Sequence, residues 1–171
     1  MKVISFTGHS VVPPELETRV GHLLSRTLAE QWFTDGDREV RGIVGGASGV
    51  DTIAAEILYY LKFPYVLALP DPDYKAYWID GPGGEKLGNS RREWSKRFDI
   101  VADRAEKVVF VNESKRPGNN FRRNEWMVDH SDCTIAVRWR KSGGTDHCIK
   151  YVKFVQKQRE HPLVVLNPKE D

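Results

Sequence analysis

Val40-Arg41-Gly42-Ile43-Val44, followed without a break by Gly45-Gly46-Ala47-Ser48-Gly49-Val50-Asp51-Thr52-Ile53-Ala54-Ala55-Glu56, is the stretch whose reading decides the fold. The run Val40 to Val44 is short and mostly apolar, as a buried strand is. Beyond it, Ile53, Ala54, Ile57, Leu58 and Leu61 recur at the three-to-four-residue spacing of a helix. Gly45, Gly46 and Gly49 mark the turn between the two elements. Glycine lets the backbone approach a ligand closely, and the unpaired N–H groups of a helix start attract an anion. By its chemistry this is a phosphate cradle, although it is neither a Walker loop nor a GxGxxG turn. A plainer reading stands beside it: Ser48 and Asp51 form a capping box, and Gly45-Gly46 is a tight strand-to-helix turn.

Working outward, the same alternation repeats. Val3-Ile4-Ser5-Phe6 predicts a first strand that ends in Thr7-Gly8-His9-Ser10. Pro13-Pro14 suits a helix entry, and Leu16, Val20, Leu23, Leu24 and Leu28 give its apolar stripe. Asp35-Gly36-Asp37 is expected to turn the chain into the second strand. Pro64 to Leu69, Lys107 to Val111, Cys133 to Val137 and Pro162 to Leu166 predict four further strands, with helices expected between Ser90 and Ala105, from Asn119 or Asn120, and between Asp146 and Arg159. Strands alternating with helices predict one Rossmann-like α/β domain over residues 1–171, with a mostly parallel sheet covered on both faces. Residues 71–90, rich in glycine and carrying Tyr77 and Trp78, are expected to be an irregular lid or contact loop.

At 171 residues the chain is long enough for one sizeable core, and 40% hydrophobic with 29% charged residues is ordinary globular composition. The sequence holds no run of eighteen apolar residues, so no membrane span is expected, and the opening Met1 to Phe6 is too short for a signal peptide. Two isolated cysteines suit a reducing cytoplasm. His130, Cys133, His147 and Cys148 match no standard zinc spacing, so no metal site and no cofactor are expected. The net charge of +2 hides an asymmetry: residues 1–80 hold 7 Lys+Arg against 11 Asp+Glu, and residues 81–171 hold 19 against 13. A basic half suits phosphate-bearing partners.

The polar residues gather at strand ends. Thr7, Gly8 and His9 follow the first strand, Gly45, Gly46, Ser48 and Gly49 the second, and Arg138-Trp139-Arg140 the fifth. Ser142-Gly143-Gly144-Thr145 then opens the last helix as a second candidate cradle. In an open parallel sheet these turns share the carboxyl edge, where ligands bind. Arg123 and Asn124 belong to the first turns of another helix, where a cation opposes the helix dipole unless it faces an anion.

Thr7-Gly8-His9, Gly45 to Glu56, Arg123-Asn124 followed by Asp129-His130-Ser131-Asp132, and Gly143-Gly144-Thr145 stand here in an order that resembles the SLOG superfamily. That group joins DprA-like, LOG-like and YpsA-like proteins, and the YpsA-like branch is the most similar. The resemblance implies a Rossmann-like sheet that binds a nucleotide or nucleotide-derived ligand at these loops, as a sensor or binding protein. LOG enzymes carry a P-G-G-x-G-T-x-x-E motif whose Glu serves glycosidic cleavage, whereas the shortened stretch Ser142 to Cys148 here has no Glu after Thr145. An N-glycosidic hydrolase or deoxyribosyltransferase is therefore the alternative, with Asp51, held ionised by the helix dipole, and Glu56 as its candidate carboxylates. Single-stranded nucleic-acid binding, as in DprA, is the second, through Arg91, Arg92, Arg138, Trp139 and Arg140. The protein is expected to be a cytoplasmic homo-oligomer.

Overall fold

The computed structural model describes residues 1–30 and 39–170, so the expected turn at Asp35-Gly36-Asp37 lies outside the described residues. Strands β1 (Lys2–Gly8), β2 (Val40–Val44), β3 (Tyr65–Leu69), β4 (Lys107–Phe110), β5 (Cys133–Val137) and β6 (Leu163–Leu166) form one sheet in the order β4-β3-β2-β1-β5-β6. Every pairing is parallel, with Ser5 level with Ile43 on one side and with Thr134 on the other. The expected adjacency of the first two strands is thus present.

The strand order explains the layers. From β1 the chain steps one way to β4 through α1 (Pro14–Leu28), α2 (Val50–Tyr60) and α5 (Arg91–Arg104). It then returns to the other side of β1 through α6 (Asn119–Asp129) and α7 (Gly143–Val155). Right-handed crossovers running in opposite directions place their helices on opposite faces. Val20, Leu24, Leu58, Trp94 and Phe98 accordingly pack with Ile4, Phe6, Leu67 and Leu69 in the large core. Met127 of α6 packs with Ile43 and Ala68, and Val128 with Cys148 and Val152 of α7, on the other face. The reversal of strand order falls between β1 and β5, which opens a crevice at their carboxyl ends.

Residues 71–90, expected to be irregular, are helical: α3 (Tyr74–Ile79), α4 (Pro82–Leu87) and a short 3-10 turn lead into α5. Burial of the aromatics drives this. Trp78 meets Tyr74, Tyr77 and Trp94 edge-on or tilted, at centroid distances of 5.5–6.2 Å, so the glycines here serve close packing rather than looseness. A Cβ at Gly83 would stand 2.8 Å from the Trp78 ring.

Between β1 and β5 runs a buried polar chain. Ser131 Oγ donates to Ser5 Oγ at 3.0 Å, Ser5 Oγ pairs with Thr134 Oγ1 at 2.8 Å, and Thr134 Oγ1 with His161 Nε2 at 2.8 Å. The three hydroxyls and His161 Nε2 satisfy one another where the sheet is buried on both faces, while His161 Nδ1 has no protein partner.

Candidate functional site

A cleft of about 350 Å³ lies over the β1–β5 crevice. Thr7 and Gly8 come to it from β1, Ala47 and Asp51 from the glycine turn and α2, and Arg123 and Asn124 from α6. Ser142, Gly143, Gly144 and Thr145 close it from the start of α7. Sequence reasoning placed all of these except Ala47 in the site. It left out the remaining wall, built by Tyr74, Tyr77 and Trp78 of α3 and Lys86 of α4, with Phe121 of α6. The burial signal of three aromatics in a glycine-rich segment pointed to a packed wall. An adjoining hollow of about 480 Å³ continues the cleft past Tyr77 to Asp71, Lys115 and Arg116.

The two glycine turns behave differently. At the first, Gly49 is the cap of α2, and the expected Ser48–Asp51 capping box is absent because Ser48 Oγ donates to Ser10 O instead. The carboxylate of Asp51 turns back into the turn and accepts the Ala47 N–H at 3.1 Å. The cradle is thus occupied by a carboxyl of its own chain. Gly45 and Gly46 lie behind the cleft. A Cβ at Gly45 would run into the Arg123 guanidinium, and Gly46, at φ +78°, would direct one against Leu69 and Phe98. Gly49 lies against the backbone of His9. Close protein packing, rather than close approach of a ligand, demands these glycines.

Asp51 is pulled two ways. Burial pushes its carboxyl up from the ordinary carboxylate range, while the charge of Arg123 and the Ala47 and Gly45 N–H groups pull it back. Desolvation thus opposes the helix dipole that the sequence places beside it. Glu56, the other candidate carboxylate, lies outside the cleft: it accepts both arms of Arg97 at 2.9 and 2.8 Å and ties α2 to α5.

The second turn is open. Gly143, Gly144 and Thr145 are the first residues of α7, whose N–H groups have no carbonyl partner within a helix. Nothing lies within 4 Å of where a Cβ at Gly143 would sit. Asp146 steadies the turn from outside, accepting Ser142 N–H at 3.1 Å and Arg138 Nε at 2.5 Å. Those two bonds hold its carboxyl below the usual range. Thr145 is 1% exposed and its hydroxyl has no protein partner.

Arg123 connects the two turns. Its guanidinium donates to Gly45 O and, at 3.3 Å, to Ala68 O, while Nε donates to Asn124 Oδ1 at 3.0 Å. Asn124 Nδ2 in turn donates to Gly144 O at 3.2 Å. One buried cation with its neighbour therefore sets the spacing across the cleft. His9 is turned away: its ring meets Trp139 at 3.9 Å between centroids, and its Nε2 accepts the Trp139 N–H at 3.4 Å. Burial, then Arg140, drives its pKa down to about 4, so it is neutral at pH 7.

Three of the five residues proposed for strand binding are engaged within the protein. Arg138 is paired with Asp146, Trp139 packs on His9, and Arg91 donates to the carbonyls of Gly88 and Ile79.

No family model matches the chain. The uncharacterised SPbeta prophage-derived protein YoqJ of Bacillus subtilis (strain 168) is 28% identical over 131 residues, which span 68% of this chain and 71% of that one. Among solved structures, DNA processing protein A from Helicobacter pylori, described for its single-stranded DNA binding mode, superposes with a TM-score of 0.62 at 20% identity. That match covers 96% of this chain and 64% of the other. TM1055, a structural-genomics target, gives a TM-score of 0.57 at 17% identity, covering 95% of this chain and 72% of the other. These likenesses show a shared fold. Among the described residues no helix is long and apolar enough to cross a membrane.

Proposed function

We propose that the protein binds a nucleotide or nucleotide-derived ligand in this cleft, as a sensor or binding protein of the SLOG superfamily and its YpsA-like branch. The observation that carries this reading is the start of α7. Open space at Gly143, first-turn N–H groups and the unpartnered Thr145 hydroxyl meet in a cleft that also holds the buried cation Arg123. That is a site suited to a phosphate group. The ribose and base would lie toward Tyr77 and Phe121, with α3 and α4 as a wall or lid. The fold shared with DNA processing protein A and TM1055 supports a ligand site at the carboxyl edge of this sheet. The resemblance and the two thiols of a reducing compartment support a cytoplasmic setting.

Calorimetry with nucleoside monophosphates, nucleotide sugars and cyclic nucleotides tests it. Binding of one of these should be lost in Gly143→Val and Gly144→Val, which fill the cradle while leaving the fold intact. Binding that survives both substitutions would place the site elsewhere. Hydrolysis is the less favoured outcome, because Asp51 is buried and engaged by backbone N–H groups and Glu56 is paired with Arg97. Release of free base, abolished by Asp51→Asn with affinity kept, would reverse that preference.

A second reading has one observation in its favour. Lys115 and Arg116 border the adjoining hollow beside Tyr77, and Phe121 lies near it, 43% exposed. Cations interleaved with aromatics suit a single nucleic-acid strand. Gel-shift binding that falls steeply between low and moderate salt would favour it.

A further inference from the structure

Two hollows meet at Tyr77. The cleft over β1 and β5 and the adjoining hollow of about 480 Å³ share Tyr74, Tyr77, Gly118 and Asn120 as walls. The cleft holds the α7 start, with the unpartnered Thr145 hydroxyl and the open space at Gly143. The hollow is built differently. Lys115 and Arg116 line it from the turn that leads into α6. Both are exposed, and no ion pair among the described residues takes either cation. Lys115 Nζ stands 5.6 Å from the centre of the Tyr77 ring. Asn119 and Asn120, the first residues of α6, complete the wall, so the positive end of that helix dipole adds to the two side chains. Asp71 is the carboxylate that lines the hollow, and both of its oxygens are engaged. Asn119 Nδ2 donates to Oδ2 at 2.9 Å and the Asp73 N–H to Oδ1 at 3.1 Å. Its bonds fix the start of α6 rather than neutralise the two cations.

The two cationic ends are too far apart to share one phosphate. No residue of the α7 start lines the hollow, and neither Lys115 nor Arg116 lines the cleft. Asn124 Nδ2 reaches Gly144 O at 3.2 Å, and Asn120 lies four residues earlier, about 6 Å back along α6. We propose that the nucleotide bound here carries two separated phosphates. One sits on the α7 start, the second at Lys115 and Arg116, and the sugar crosses Tyr77 between them. This inference rests on the nucleotide reading above and narrows it to a nucleoside bisphosphate or a dinucleotide. The adjacent phosphates of a diphosphate share one bridging oxygen, which keeps them too close together to fill both ends. A monophosphate on the α7 start leaves Lys115 and Arg116 without an anion.

Calorimetry on the wild type compares AMP, ADP, adenosine 3′,5′-bisphosphate and the dinucleotide pApA, with the guanine, cytosine and uracil series alongside. In the series that binds, the bisphosphate or the dinucleotide should bind about 10-fold more tightly than the monophosphate, as one charge-assisted contact allows. The 5′-diphosphate should bind like the monophosphate, and it controls for a general attraction to added charge. The Lys115→Gln/Arg116→Gln double variant should bring the ratio of bisphosphate to monophosphate affinity close to one. That ratio is read on one protein at a time, so a change in the fold cancels from it. Equal affinity for monophosphate and bisphosphate in the wild type, a gain shared by the diphosphate, or a ratio that survives in the double variant would overturn the proposal and leave the nucleotide reading standing. Affinity that keeps rising with oligonucleotides longer than a dinucleotide would overturn it in favour of a strand. Binding of no probe in any series would overturn the nucleotide reading, and this inference with it.

Discussion

Thr145→Val separates the apo protein's interest from the ligand's. Thr145 sits in the first turn of α7 at the cleft, and its hydroxyl is buried without a protein partner. A buried, unpaired hydroxyl costs about 1–3 kcal/mol. Valine keeps the branched shape and removes the polar atom, so the ligand-free variant should be more stable than wild type by about 1 kcal/mol or more. A hydroxyl that turns to donate to a phosphate oxygen contributes about 1.5–3 kcal/mol, which is roughly 10- to 100-fold in affinity. Urea titration should move the apo midpoint up with an unchanged slope, and calorimetry with a nucleotide that the wild type binds should show the affinity loss. Thr145→Ser, which keeps the hydroxyl, should retain binding. A Val variant that is less stable than wild type and binds equally well would refute the reasoning, because the hydroxyl would then serve the fold and not the ligand.

Gly46→Val should destabilise the protein by about 2–4 kcal/mol, from a left-handed backbone and a Cβ 2.7 Å from Leu69 Cδ2, whereas Gly143→Val should melt near wild type; thermal denaturation compares the two. Arg123→Lys should lower both stability and ligand affinity, since a lysine cannot reach Gly45 O, Ala68 O and Asn124 together; calorimetry and urea unfolding read the two effects. Acid should weaken the fold between about pH 6.5 and 4. His9 is held near pKa 4 and burial, aided by Arg159, lowers His161, so in that window the unfolded chain takes up more protons than the folded one. For His9 the loss should be about 1.4 kcal/mol per pH unit across this window, and urea unfolding of His9→Gln should show a shallower pH slope.

The sequence by itself determined the strand-and-helix alternation and the parallel sheet, because buried strands such as Ile43-Val44 and Cys133 to Val137 carry their apolar pattern locally. It also marked the turns after β1, β2 and β5, since glycine at a strand-to-helix junction is a local signal. Only the tertiary structure decided which of those turns is open. At Gly45-Gly46 the demand for glycine comes from Arg123, Leu69 and Phe98, residues far along the chain that pack behind the turn. At Gly143 nothing packs behind it. The setting of Asp51 likewise came only from the fold, where burial raises its carboxyl and Arg123, 72 positions along the chain, pulls it back. The glycine-rich segment after β3 looked irregular because its order arises from Trp78 packing between Tyr74, Tyr77 and Trp94. A local pattern specifies an element, but the vacancy or occupancy of a site depends on residues from distant strands converging on it.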